Sequence, residues 1–129
     1  MIYLDTSVAL AQLLAEDRKP PDALWSESLV SSRLLEYELW TRINARKLDR
    51  SHGEFVRQLI GHIAFLELAP PILDRALEPF PVQVRTLDAL HLASAIFLLE
   101  RDPSMKLATY DDRMLIAAKR LGIPIYALA

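Results

Sequence analysis

The chain has 129 residues, a length that suits one domain with a core of its own. It is 52% hydrophobic and 25% charged with three glycines, which excludes disorder and low complexity; the lack of cysteine excludes disulfides, zinc ribbons and thiol nucleophiles. A net charge of −2 argues against a protein whose main task is gripping nucleic acid, but it leaves room for an acidic site whose bound cations restore charge.

The high apolar share hints at surface reserved for a partner or a second copy. No apolar run approaches the roughly 18 residues of a membrane span. The start, MIYLD, carries an acid at position 5 and no basic stretch, so it does not read as a signal peptide. The expectation is a cytoplasmic protein with no membrane partner.

In chain order, residues 2–4 form a short apolar run fit for a buried strand, Asp5-Thr6-Ser7 ends it, and residues 8–16 read as a helix. Strand, acid and helix make the first half of a βαβ unit, and ligands of open α/β sheets sit where Asp5 falls. Asp5 or Ser7 equally suits a helix cap. Residues 17–22, DRKPPD, are a loop by their prolines. A short helix over 23–28 and a strand over 29–31 follow.

Residues 34–46 are helical in pattern, with Leu34, Leu35, Leu39 and Ala45 on one face. At 100° per residue Glu38 falls in the middle of that face and Glu36 outside it, near Trp40. An inward glutamate needs a reason. An i+4 pair with Arg42 is one, worth a few tenths of a kcal/mol if exposed, but it does not explain a carboxylate on a buried side. The next helix, 52–63, has Phe55, Leu59, Ile60 and Ile63 as its buried stripe; His52 and His62 have no acid or second histidine placed to complete a metal set.

A third strand is expected over 65–68, a short helix over 72–77, and a loop over 78–84. Residues 85–99, RTLDALHLASAIFLL, are apolar on nearly every side, as a buried helix is. Thr86 is the expected N-cap, with Asp88 in the first turn and His91 one turn on. A carboxylate entering a buried helix must recover its lost hydration from hydrogen bonds, cations or a metal. A strand over 106–109 then ends in acids before a helix over 114–121, with Gly122 as its C-cap and a last strand over 124–128.

Alternating strands and helices imply a parallel sheet covered on both faces, a single α/β domain spanning 1–129. Asp5 and Asp111 then share one sheet edge, Asp88 opens a helix and Glu38 points inward from another. Four carboxylates in one pocket repel unless cations neutralise them. Oxygen-only donors suit Mg²⁺ or Mn²⁺, which activate water and steady a leaving oxygen in phosphodiester hydrolysis. Thr6, Ser7 and Thr109 are placed to hold the carboxylates or their waters.

MIYLDTS, SSRLLEYEL, RTLDALHLASA and TYDDRM together resemble the four acidic motifs of PIN-domain ribonucleases, in the order and spacing of small VapC-type toxins. The resemblance runs from residue 1 to the final strand. It implies a three-layer α/β/α fold and Mg²⁺- or Mn²⁺-dependent cleavage of RNA. Asp5 and Asp88 would be the primary ligands, with Glu38 and Asp111 completing the site, and Asp112, beside Asp111, the helix cap. It further implies a cognate antitoxin that covers the site, and commonly a homodimer. His91 is read as structural, since imidazole matches an oxygen-lined Mg²⁺ site poorly. Arg33, Arg42, Arg46, Arg85 and Arg113 lie near the acids in sequence and are candidate phosphate contacts. Leu13, Trp25, Tyr37 and Trp40 suit either an antitoxin groove, a dimer face or the core. The rival readings are a PIN nuclease of RNA processing or decay, a catalytically silent metal-binding interaction module, and a small-molecule phosphatase.

Overall fold

The structure is a computed structural model and describes residues 1–128. Four short strands, β1 (Ile2–Leu4), β2 (Leu29–Ser32), β3 (Ile63–Leu66) and β4 (Lys106–Ala108), pair in parallel in the order β3-β2-β1-β4. Six helices connect and cover them: α1 (Thr6–Leu13), α2 (Leu34–Ala45), α3 (Asp49–Gly61), α4 (Pro70–Leu77), α5 (Thr86–Arg101) and α6 (Asp112–Arg120).

The three layers follow from the alternation of side chains along each strand. Ile2, Leu4, Leu29 and Ala108 face one core with residues of α1, α2 and α3, among them Val8, Leu35, Leu39, Ile43 and Val56. Tyr3, Val30 and Leu107 face the other with Leu92, Ala95, Met114 and Ala117 of α5 and α6. The chain builds β1 to β3 in one direction, then returns through α4 and α5 to lay β4 on the far side of β1. That reversal puts a crevice at the carboxyl ends of β1 and β4, where ligands of open α/β sheets bind. The three-layer α/β/α expectation holds.

Several local expectations shift. The buried face of α2 is Leu35, Leu39 and Ile43, while Ala45 is exposed, because the helix rolls its i, i+4, i+8 row onto the core. In α3 the packed residues are Gly53, Val56 and Leu59, and Phe55 is 61% exposed. Gly53 lies near the Trp40 ring and the Arg57 guanidinium. Ile63 leaves that helix to open β3, since pairing with Leu29 sets the strand two residues earlier than hydropathy suggests.

Residues 124–128 make a single bridge, Ile125 to Leu107, in place of a full strand. Ala129, the end of the chain, lies outside the described residues. Gly122 adopts φ +75 directly after α6, and the amides of Gly122 and Ile123 turn back to the carbonyls of Lys119 and Ala118, the closing turn expected of it. α5 is buried from Ala89 to Ala95 except for half-buried Leu90, and Leu87 is 45% exposed, so it is less enclosed than its composition suggests. Thr86 is its first helical residue and not its cap, and the Arg85 position caps without a side-chain bond.

The packing predicts opposite fates for two apolar side chains. Ile43→Ala, which empties a fully buried position, costs about 2–5 kcal/mol in urea unfolding. Phe55→Ser changes stability by no more than about 0.5 kcal/mol.

Candidate active site

Asp5 follows β1 directly and is 5% exposed. Its backbone holds the N-cap position of α1, but its side chain makes no cap bond. Instead Oδ2 accepts from the Ser7 hydroxyl at 2.6 Å and the Thr109 hydroxyl at 2.8 Å. Both hydroxyls are themselves fixed from beyond β4: Tyr110 donates its amide to Ser7 at 3.0 Å and Asp111 donates its amide to Thr109 at 3.0 Å. The Asp5 carboxylate is thereby tied to the turn that carries Asp111.

Asp111, and not Asp112, is the cap of α6. Its Oδ1 accepts from the Arg113 and Met114 amides at 2.9 and 3.2 Å, while Asp112 is an exposed residue of the first turn. Oδ1 of an aspartate at the cap position reaches exactly the amides that the helix leaves unpaired, which a residue inside the helix does not.

Glu38 accepts from Thr6 Oγ1 at 2.7 Å and lies 2.7 Å from His91 Nε2. A carboxylate only accepts, so His91 carries its proton on Nε2, and in the neutral ring Nδ1 accepts from the Tyr3 hydroxyl at 2.7 Å. Tyr3 is fully buried, which pushes its phenol far above the ordinary value and keeps it neutral. Burial works against a charged His91, yet the hydrogen bond to Glu38 and the charges of Asp5, Glu38 and Asp88 outweigh it and raise its pKa. Glu36 lies apart, 3.2 Å from Arg33, as the helical-face reading expects.

Asp88 joins the acids through space. Burial, then the negative charges of Asp111 and Asp5, hold its carboxyl above the usual carboxylate range, against the pull of Arg85. Three acids from β1, α5 and the β4–α6 turn therefore share one field. Among the described residues no three His, Asp or Glu side chains stand as a closed ligand set. The donors are nonetheless all oxygen, and their mutual repulsion is of the kind a hard cation relieves, so the residues fit Mg²⁺ or Mn²⁺ by chemistry.

The arginines divide. Arg33 is taken up by Glu67 at 2.8 Å and Glu36 at 3.2 Å. Arg42 and Arg46 line a cleft of about 740 Å³ with Ser7, Asp111 and Arg18. Arg85 and Arg113 line a different one. Sequence reasoning passed over Arg18, which donates to the Tyr110 carbonyl at 3.0 Å, and it gave His91 and Tyr3 no part in the site. His91 had a legible signal, its place one turn after Asp88 on α5; Arg18 had none.

Two stability tests follow from these charges. Asp88→Asn raises the thermal midpoint at neutral pH. Because the folded carboxyl titrates high, the gain vanishes below about pH 4, where Asp88 is protonated in both states. His91, also raised, has the same sign in a higher window: relative to His91→Gln, wild-type stability is greatest below about pH 6.5 and declines as pH rises through the higher folded value.

A PIN domain family model matches residues 2–120. Ribonuclease VapC46 of Mycobacterium tuberculosis is 35% identical over 98% of this chain and 96% of its own length. Ribonuclease VapC47 of the same species is 31% identical over 95% and 93%. Among solved structures, the M. tuberculosis VapC20 toxin, described as cleaving the sarcin-ricin loop, superposes with a TM-score of 0.69 at 17% identity, covering 91% of this chain and 95% of that one. A toxin–antitoxin complex from Klebsiella pneumoniae gives 0.65 at 18% identity, covering 89% and 90%. The chain belongs to the PIN-domain family, among its VapC-type ribonucleases.

Proposed function

We propose that this chain is a metal-dependent endoribonuclease and the toxin of a toxin–antitoxin pair. The observation that carries the reading is the hydroxyl tie, through Ser7 and Thr109, between the Asp5 carboxylate and the turn that carries Asp111; the charges of both acids also act on Asp88. Asp5 and Asp88 are its primary ligands for Mg²⁺ or Mn²⁺, with Glu38 and Asp111 completing the set. When bound, the cation supplies Lewis acidity that activates water and neutralises phosphate charge.

The chain's own residues do the rest. Ser7 and Thr109 fix one oxygen of Asp5 so that the other is left for ligation. Thr6 and His91 hold Glu38 in the same way from two elements. Capping spends Oδ1 of Asp111 and leaves Oδ2. Arg42 and Arg46, beside Asp111, hold the RNA backbone by its phosphates. Hydrolysis adds one water across a P–O bond, leaving a phosphate on one fragment and a hydroxyl on the other.

The antitoxin has a suitable seat. Leu13, Trp25, Phe55 and Leu59 line an apolar groove of about 460 Å³ between α1 and α3, and the Klebsiella neighbour is a toxin–antitoxin complex. Trp40 packs against the core and Tyr37 is 65% exposed on α2. A homodimer is part of the same reading.

The test is cleavage of a mixed RNA pool by antitoxin-free protein with Mg²⁺, Mn²⁺ or EDTA. Cutting occurs with either metal, stops in EDTA, and is lost in Asp5→Asn and Asp88→Asn proteins that melt cooperatively. Thr109→Val, which removes a support and no ligand, lowers activity or metal affinity by about 10- to 100-fold. Metal-independent cutting, or full activity in the Asp variants, refutes the mechanism.

A further inference from the structure

We propose that the cleft between residues 82–85 and α6 seats one nucleotide of a single-stranded RNA, next to the phosphate that is cut. This rests on the ribonuclease reading above. Arg85, Arg113 and Arg120 line the cleft with Val82, Val84 and Ile116, and no aspartate or glutamate does. Its volume is about 650 Å³, within the roughly 300–1,000 Å³ of small-ligand clefts.

The three guanidinium groups reach the cleft from separate places: the residue before α5, the start of α6 and its end. Among the described residues none of them is ion-paired with a carboxylate. Arg120 contacts the Pro81 carbonyl at 3.4 Å. Like charges gathered in one cleft repel, and an anion lying among them relieves that cost. The neighbouring cleft differs, since Glu16, Asp17 and Asp111 balance Arg18, Arg42 and Arg46 there. Here the three arginines share the lining with no carboxylate.

The apolar half of the cleft gives the second part of the argument. Ile116 is 49% exposed on α6, and Val82 and Val84 are half-buried opposite. A nucleobase can lie against such a surface while the guanidiniums take the flanking phosphates, the division of labour found in single-strand binding grooves. Paired bases are stacked inside a helix and cannot offer that face, so the ligand is single-stranded. Position relative to the acids follows from the chain itself. Asp88 feels the charge of Arg85, and the Arg113 amide donates to Asp111 at 2.9 Å. A nucleotide in this seat therefore adjoins the reacting phosphate, and its base contributes to where the enzyme cuts.

The experiment compares wild type with Arg113→Gln, Arg120→Gln and Ile116→Ser, and with Arg101→Gln at the far end of α5 as control. Cleavage is followed at steady state. Binding of a short, fluorescein-labelled, mixed-sequence single-stranded RNA is read by anisotropy in EDTA across a salt series, and melting curves check folding. Each cleft arginine variant weakens binding and raises KM about tenfold with kcat little changed. The slope of log affinity against log salt becomes shallower by about 0.7 for each arginine removed. Ile116→Ser changes which bases flank the cut, and Arg101→Gln behaves as wild type. If wild type cuts RNA while the cleft variants keep its KM, salt slope and cut pattern, the seat is wrong and the nuclease reading stands. If wild type neither cuts nor binds RNA, both fall together. If Ile116→Ser splits a dimer on size-exclusion and leaves RNA binding unchanged, the cleft is a face between copies and the seat is again wrong.

Discussion

The site depends on one link, the pair of hydroxyl bridges from Asp5 to the turn after β4. Ser7 and Thr109 each donate to the same carboxylate oxygen and each accept a backbone amide from residues 110 and 111. A carboxylate that is 5% exposed loses most of its hydration, and these charge-assisted bonds offset that loss. They also weld the start of the chain to its last quarter, across the point where the strand order reverses. Strand pairing alone would bring β1 and β4 together; the hydroxyls fix the angle at which their acids face each other.

A second buried chain of bonds does the same for Glu38. It runs from Tyr3 on β1, through His91 on α5, to Glu38 on α2, and so spans the sheet from one layer to the other. Both ring nitrogens of His91 are committed, which fixes the imidazole and with it the carboxylate it holds. Support of this kind matters for a ligand, because a side chain free to rotate gives up the geometry that catalysis needs.

The arrangement sets function against stability. Burial, and then the nearby charges of Asp111 and Asp5, make Asp88 titrate high, so the gathered acids carry a repulsion that the rest of the fold must withstand. Two layers of aliphatic core on either side of a short sheet provide that support, with Leu35, Leu39 and Ile43 on one side and Leu92, Met105 and Met114 on the other. The charges on the far rim are arranged differently. Arg33 is neutralised by two glutamates, whereas Arg85, Arg113 and Arg120 keep their charge beside the acids.

The strand–acid–helix order, the four acidic motifs and the inward direction of Glu38 were legible in the sequence, because each depends on local spacing along one element. Hydropathy placed most elements to within a few residues for the same reason. Tertiary packing decided what local spacing cannot carry. It turned Val56 inward and Phe55 outward on α3. It made Asp111 and not Asp112 the cap of α6, reduced the last strand to one bridge, and gave His91 a partner 53 residues away. Composition and periodicity fix which residues seek burial and which acids end strands; only the assembled sheet fixes which of them meet, since a contact between distant residues is set by strand order and layer packing, and neither is written within any one segment.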